Sequence, residues 1–461
     1  MTGDDEHTRR MEKRIVRKLD MTLMPMVWVL YFFNYMDRNN IAQAKLDSFE
    51  ADLGLVGNQF NVAVSILNVG YVLMQLPSNM ILTRVRPSLY IPLCAMLWSV
   101  ISGCTAAAHN YGQLIAIRFM LGVVEAPFFP GAYYILSAWY TRRELALRIA
   151  ALYSALILAT AFSGLVAAGV FAGLEDVKGL AGWQWLYIIE GSASFVAAAV
   201  AVFVLPDFPE SNSGSGKWLF SEEEKKLSVD RIMRDRVSSG TAEDEGIMHG
   251  LKLAVMDYRT WVFSLMLCSN HSAYSFNNFF PSMLKGFNLG SRTLTLVLTA
   301  PPYLVATAIA LGIALSSDRR KERGLHIAIP IVFAVIGFII TVSTLDKAGR
   351  YFASFLYVGG LFGSNSIIYA WASSSLNQTP AKRACATAIV NIMSQIGNIY
   401  APYFFRPQDA PRYILAVILM TIFSGISIIT VLAMKLDLKR ENKKLLARVE
   451  QTGIPTNLYT T

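Results

Sequence analysis

Residues 325–345 read LHIAIPIVFAVIGFIITVSTL, and residues 147–172 read LRIAALYSALILATAFSGLVAAGVFA. At ~1.5 Å of rise per residue, either stretch is long enough to cross the ~30 Å hydrocarbon core of a bilayer as one helix. Lipid offers the backbone no hydrogen-bond partners, so a segment there must satisfy its own amides, and an isolated strand cannot. Working outward, the same apolar pattern recurs at 22–44, 59–80, 89–108, 112–136, 184–205, 260–281, 294–315, 351–376, 384–405 and 412–434. The pattern predicts an all-α membrane protein with twelve transmembrane helices.

Composition agrees with this reading. Of 461 residues, 54% are hydrophobic and only 16% charged, against ~25% charged in soluble domains. That leaves too little polar surface to cover a water-soluble chain of this length. The net charge of +9 does not indicate nucleic acid, because the cations sit in short clusters between apolar runs rather than on one surface. Cys94, Cys104, Cys268 and Cys385 all fall within apolar runs without metal-ligand spacing, and read as small buried apolar residues. The charged first twenty residues lack the apolar core of a cleavable signal peptide.

The clusters set orientation. Arg9, Arg10, Lys13, Arg14, Arg17 and Lys18 precede the first span; Arg84 and Arg86, then Arg142, Arg143 and Arg148, then Arg319, Arg320, Lys321 and Arg323, then Lys382 and Arg383 follow even-numbered spans. The alternate connections are poorer in cations, so the positive-inside rule directs both termini to the cytosol. One long polar stretch, 206–258, carries a Ser/Gly-rich patch at 211–216 and then Ser221 with Glu224 three residues on, a capping-box signature. The expected organisation is a cytosolic N-terminal tail (1–21), a six-helix bundle (22–205), a cytosolic linker with one or two surface helices (206–258), a second six-helix bundle (259–434) and a cytosolic C-terminal tail (435–461). Basic connections about half a chain apart, Thr83-Arg84-Val85-Arg86 and Ser317-Asp318-Arg319-Arg320, point to a parallel internal repeat. Asn-x-Ser/Thr sequons at Asn270 and Asn377 fall inside a span and in a cytosolic connection, where glycosylation is not expected.

Charges within spans need a reason, since each costs ~2.5–3.5 kcal/mol at mid-membrane on insertion scales. The first half holds Asp37 and Arg38 in span 1, Arg118 and Glu125 in span 4, and Glu190 in span 6. Tyr31, Tyr35 and Arg38 follow i, i+4, i+7 spacing, so a guanidinium and two phenols share one helix face. That face suits a carboxylate, which guanidinium grips bidentately. Asp37 points about 100° away from it. Arg118 and Glu125 lie two turns apart on one face of span 4 and look into one seam. A carboxylate desolvated in such a seam is tunable, as proton coupling requires; a static ion-pair network between spans 1 and 4, or a water-exposed outer end of span 1, is the plainer alternative. The second half offers uncharged polar groups instead: Asn270, His271, Tyr274, Asn277 and Asn278 in span 7, Ser364, Asn365, Ser366 and Tyr369 in span 10, and Asn391, Gln395 and Asn398 in span 11. Interhelical hydrogen bonding and ligand contact compete as readings of each. Small residues in span 5 (Gly164, Ala168, Gly169, Gly173) predict close helix packing, and Pro301 with Pro302 a kink in span 8.

Several segments together resemble the anion:cation symporter family of the major facilitator superfamily, in its fungal allantoate-permease-like branch: Tyr35-x-Asp37-Arg38-x-Asn40; Pro77-Ser78-Asn79 with Arg84-x-x-Pro87; Arg118-Phe-x-x-Gly122-x-x-Glu125-Ala-x-Phe-x-Pro130-Gly131; Trp139-Tyr140 with Arg143-Glu144; Gly182-Trp183-x-Trp185-Leu-x-Ile-x-Glu190-Gly191; and Ala300-Pro301-Pro302-Tyr303. They cover nearly the whole membrane portion. The superfamily's cytosolic Asp-Arg motif is degraded after span 2, where Thr83 stands at the usual Asp, and survives as Asp318-Arg319 after span 8. Span 5 lacks the Gly-Pro pattern associated with antiporters. The resemblance implies the major facilitator fold, a substrate site at mid-membrane between the halves, and proton-coupled uptake of a small organic anion by alternating access. It implies Arg38 as the group that binds the substrate carboxylate, Asp37 and Glu125 as the protonatable pair, and Arg118 as the charge partner of Glu125. Tyr35, Tyr71, His271, Asn278, Asn365, Asn391 and Gln395 are expected to line the cavity, and Arg84, Asp318 and Arg319 to serve in gating. No cofactor or metal is expected, the partners being protons, the anion and the lipid bilayer around a monomer in the plasma membrane. Export of a secondary metabolite is the rival reading, and a non-transporting nutrient sensor a further one. P-loop, nucleophile and clustered metal-ligand motifs of an enzyme are not found.

Overall fold

An apolar stretch in lipid can satisfy its amides only along its own axis, and the apolar runs are accordingly helical over most of their lengths. The computed structural model describes residues 3–82, 85–211, 215–235, 247–376, 378–452 and 459–461. Contacts divide the chain into two units, Met1–Ser238 and Ser239–Thr461.

The first unit contains α1 (Gly3–Met21), α2 (Leu23–Ala44), α3 (Gln59–Leu82), α4 (Pro87–Cys104), α5 (Tyr111–Glu125), α6 (Phe128–Trp139), α7 (Arg142–Gly173), α8 (Gly182–Val204) and α9 (Glu222–Asp235). The second contains α10 (Ile247–Met256), α11 (Tyr258–Ala273), α12 (Ala300–Arg320), α13 (Gly324–Ser343), α14 (Lys347–Ser375), α15 (Pro380–Tyr400) and α16 (Ile414–Thr452). Packing repeats between them. In the first unit α2 packs on α7 and α8, α3 on α5, and α4 on α8; in the second α11 packs on α15 and α16, α12 on α14, and α13 on α16. The same helix pairs thus recur in the same order of spans, which is the structural form of the repeat in the basic connections.

Among the described residues, seven stretches are long and apolar enough to cross a membrane by length and composition. The helices carrying Asp37 and Arg38 (α2), His271 (α11), Asn365 (α14), and Asn391 and Gln395 (α15) are not among them. Each interrupts its apolar run with polar side chains that the bundle receives instead of lipid.

Several spans differ from continuous helices. Span 4 breaks at Ala126–Pro127 into α5 and α6, because Pro127 has no N–H to continue the ladder. Span 7 tightens into a 3₁₀ segment over Tyr274–Phe279. Span 8 is likewise interrupted, into Arg292–Val297 and α12, with Leu298 and Thr299 still in helical conformation; Pro301 and Pro302 stand in the first turn of the second piece, and their missing N–H groups leave the ladder open just before it. Of the four small residues of span 5, Gly164 and Ala168 are buried, but Gly169 and Gly173 face open space, and the tightest backbone approach of the first unit lies between other helices. A Cβ at Gly169 or Gly173 would meet nothing within 4 Å, whereas one at Gly122 would lie 2.0 Å from the Leu67 carbonyl oxygen and one at Gly70 2.4 Å from that of Phe119. Backbones of α3 and α5 touch there because neither glycine carries a side chain. All four cysteines are free, but only Cys94 is buried; Cys104 is exposed.

Among the described residues of the polar stretch and the tails, several are tied to the bundles by specific bonds. The Ser221–Glu224 capping box forms, with Ser221 N–H donating to Glu224 (2.9 Å) and Glu224 N–H to Ser221 Oγ (3.2 Å). Lys18 Nζ lies 2.7 Å from the same carboxylate, tying α9 to α1. Burial would raise the Glu224 pKa, but Lys18, the Ser221 amide and Arg14 outweigh it and hold the carboxyl below its ordinary value. Arg231 of α9 donates to the Trp139 carbonyl (2.7 Å) and pairs with Glu144 (3.2 Å), so the Trp139-Tyr140/Glu144 segment forms a clamp on the linker helix. In the second unit α10 packs on α15, and Lys382 pairs with Asp257 at 2.6 Å. The last span continues as helix through Thr452, past the boundary expected at residue 434. Residues 459–461 return to the same unit, where Thr460 O accepts from Trp371 Nε1 (2.8 Å) and Thr461 O from the Arg323 amide (2.8 Å).

Candidate functional site

The first unit gathers its intramembrane charges at one buried place. Glu125 is the last residue of α5, 1% exposed. The proline break puts its carboxyl at the C-terminal end of a helix, where the dipole disfavours an anion. Compensation comes from α2, whose Arg38 Nε donates to Glu125 Oε2 in a direct ion pair. The Arg38 guanidinium also lies over the rings of Tyr35 (5.2 Å to the centroid) and Tyr71 (4.8 Å). Tyr31 meets Tyr35 edge-on at 5.0 Å and stacks on Phe128 at 5.6 Å, extending the aromatic wall. The shared face of Tyr31, Tyr35 and Arg38 thus forms an aromatic cradle around one cation, with Tyr71 of α3 closing its other side.

Asp37, fully buried, faces away from this cradle and accepts a hydrogen bond from Ser102 Oγ of α4 (2.8 Å). Its second oxygen has no hydrogen-bond partner. Arg118, 2% exposed, forms no direct salt bridge to Glu125, the partner that the resemblance implied, although its charge acts on that carboxyl. Its Nε donates to the Ala63 carbonyl of α3 (3.3 Å), while its charge acts on Tyr187, Glu125, Arg38 and Asp37. Arg38 reaches Glu125 first because α2 presents its guanidinium directly across the seam. Ser102 carried no sequence signal, serine being ordinary in a membrane helix; Tyr187, whose buried hydroxyl has no partner, shares its helix with Glu190.

The second unit holds a neutral network. Asn270 Nδ2 donates to Asn365 Oδ1 (3.3 Å), Asn398 Nδ2 bonds His271 Nδ1 (3.1 Å) and Gln395 Oε1 (2.9 Å), and Tyr369 OH reaches Asn391 Oδ1 (3.2 Å) and Ser394 (3.0 Å). Spans 7, 10 and 11 are joined through these bonds, and His271, Asn365, Asn391 and Gln395 all take part. Asn278 is half-buried on the 3₁₀ segment. The sequon residue Asn270 is committed to this interior, and Asn377 lies outside the described residues. Of the three gating candidates, Arg84 also lies outside them; Asp318 is exposed and pairs with Arg323 at 2.7 Å, and Arg319 is exposed at the end of α12.

A helical membrane bundle whose costly charges converge on one interior place is built to handle a solute, and defines a membrane transporter. The chain belongs to the Major Facilitator Superfamily, whose family model matches residues 27–402. It is 35% identical over 440 residues to the MFS-type transporter efuF of Hormonema carpetanum, covering 93% of this chain and 86% of that protein. It is 31% identical over 462 residues to the major facilitator-type transporter hxnP of Emericella nidulans (97% and 90%). Among solved structures it is similar to a bacterial homologue of the human lysosomal transporter Spinster (TM-score 0.70, 14% identity, 88% of this chain and 96% of that one) and to a D-xylose-proton symporter (TM-score 0.67, 12% identity, 89% and 96%). At such identities those likenesses show the fold alone. Membership makes the chain a multi-pass secondary transporter and not an enzyme.

Proposed function

We propose that the chain takes up a small organic anion together with protons across the plasma membrane, as a member of the anion:cation symporter branch. The observation that carries this reading is the buried Arg38–Glu125 ion pair beneath the rings of Tyr35 and Tyr71. A substrate carboxylate competes with Glu125 for the guanidinium fork, whose geometry matches a carboxylate. Once displaced, Glu125 is an anion in a desolvated seam at a helix C-terminus, and binding a proton relieves it. Anion binding and proton binding are thereby one exchange: the ion pair opens, the anion takes Arg38, and a proton takes Glu125. Loss of that proton on the cytosolic side restores the pair and expels the anion. Asp37 is the second protonatable group of the scheme, and within the second unit the neutral network of His271, Asn365, Asn391 and Gln395 is the proposed source of hydrogen bonds to a solute. The aromatic cradle favours a ring-bearing acid.

Uptake of radiolabelled aromatic monocarboxylates, nicotinate among them, into cells expressing the chain tests this reading. Saturable uptake that rises as the outside is acidified and collapses with a protonophore is expected. Glu125→Gln is expected to keep anion binding while losing the pH dependence of accumulation. Wild-type pH dependence in that variant would overturn the exchange scheme.

A further inference from the structure

We infer that Glu190 on α8 is a further proton-binding carboxyl of the transporter, forming one buried acidic pair with Asp37. The inference deepens the proton-coupled reading above and rests on it for its functional meaning. Glu190 is 2% exposed, and neither carboxyl oxygen has a hydrogen-bond partner. Asp37 is fully buried and leaves one oxygen equally bare. The groups that act on Glu190 are Asp37 and Asn40, both on α2.

Other elements packed around the pair bring little charge. From α4 come Ser102, which donates to Asp37, and Ser99, whose hydroxyl is engaged with Ser194 at 2.8 Å. From α7 no charged residue arises between Ile149 and Gly173. Tyr187 stands one turn before Glu190 on α8, and Arg118 of α5 acts on Asp37 and on Tyr187. Arg118 and Glu125 of α5 both act on Asp37, neither is among the groups that act on Glu190, and Arg38 is taken by Glu125.

A carboxylate buried away from water, with no ion pair and few donors to replace its hydration, is costly while ionised, and taking up a proton relieves that cost. Two buried carboxyls whose charges act on each other oppose each other's ionisation, so their titrations are coupled and one proton is favoured on the pair. Glu125 binds a proton only when it loses Arg38; the Asp37–Glu190 pair needs no such displacement. The transporter then has two proton stores of different kinds, one exchanged against the anion and one loaded independently of it. Each step is a proton gained from water on one side and returned to water on the other.

The test is an infrared pH titration of the protonated-carboxyl stretch in the full-length protein, purified in detergent, with no solute added. Wild type is expected to show a protonated buried carboxyl at neutral pH. E190Q should abolish that band or move its titration to a pH at least tenfold higher in proton concentration, and D37N should shift the same band by relieving Glu190 of its neighbour. E125Q, which removes a charge that acts on Asp37 but not on Glu190, should move it less than either of these. If E190Q and D37N both leave the band unchanged, or if none is present in wild type, the pair does not hold a proton and the inference is overturned; should E190Q fold poorly, the D37N shift alone decides. Because no transported solute enters the measurement, its outcome is independent of whether anion uptake proves proton-driven.

Discussion

Arginine and lysine carry the same charge, so Arg38→Lys isolates what the guanidinium fork contributes. An ammonium can meet Glu125 or a substrate carboxylate at one point only, and it loses the planar stacking surface between Tyr35 and Tyr71. A charge-assisted hydrogen bond is worth ~1.5–3 kcal/mol, and ~1.4 kcal/mol is tenfold in affinity. The KM for the anion is therefore expected to rise about tenfold or more, with thermal stability little changed; concentration-dependent uptake measures it, and an unaltered KM would remove Arg38 as the anchor. The five charges were legible because membrane insertion makes each one costly. Their pairing was not. Helical spacing places Arg118 and Glu125 on one face of their own helix, but the partner of Glu125 arrives from α2, and nothing within span 4 records how near that helix comes. Ser102 was hidden for the complementary reason: a hydroxyl costs little in lipid and leaves no mark in hydropathy.

That nearness is decided at the scale of elements, by the crossing of α3 and α5. Gly70 and Gly122 let the two backbones touch, which brings Tyr71 alongside Arg38 and holds Glu125 in its seam. Gly122→Ala would put a methyl 2.0 Å from the Leu67 carbonyl oxygen, and backbone cannot swing aside as a side chain can. Overpacking of this kind typically costs ~1–3 kcal/mol. Gly169→Ala, on an exposed face of α7 with nothing within 4 Å, removes a helix-interior glycine and gains ~0.5–1 kcal/mol. The two substitutions are therefore expected to move the melting temperature of the detergent-purified protein in opposite directions, and only Gly122→Ala to impair uptake. Equal effects would mean that the crossing does not position the site. Sequence composition alone singled out span 5, where small residues are dense; density reports what a helix permits, whereas contact depends on which neighbour it meets. Breaks in the spans obey the same division. Pro127 and the Pro301–Pro302 pair were visible as residues, but whether a proline bends a helix or begins a new one depends on where the preceding turn stops.

The two units and their repeated pairing of helices give the molecule a boundary with a physical cause. The polar stretch is not a neutral tether: α9 is held to the first unit by Lys18–Glu224 and by Arg231 with Glu144 and the Trp139 carbonyl, while α10 packs on α15 of the second. Each unit therefore owns the linker helix nearest to it in sequence, and the division falls at Ser238/Ser239. Composition could place a linker over 206–258 but could not assign its parts, because the clamps join residues about 90 to 200 positions apart. Cutting the chain at this division should leave every one of these contacts within a single fragment. Co-expressed fragments 1–238 and 239–461 are expected to accumulate and to restore uptake. Fragments cut instead after Val204 strand α9 with the second half and leave a half-buried Glu144 and the buried Trp139 carbonyl of the first unit without Arg231; a lost hydrogen bond to a charged group costs ~1.5–3 kcal/mol, so this pair is expected to accumulate less and transport less. Fluorescence-detected size exclusion of tagged fragments, with uptake in the same cells, measures both. If the two cuts behave alike, the linker helices contribute nothing to the stability of their units, and the clamps at Glu224 and Arg231 are surface contacts only.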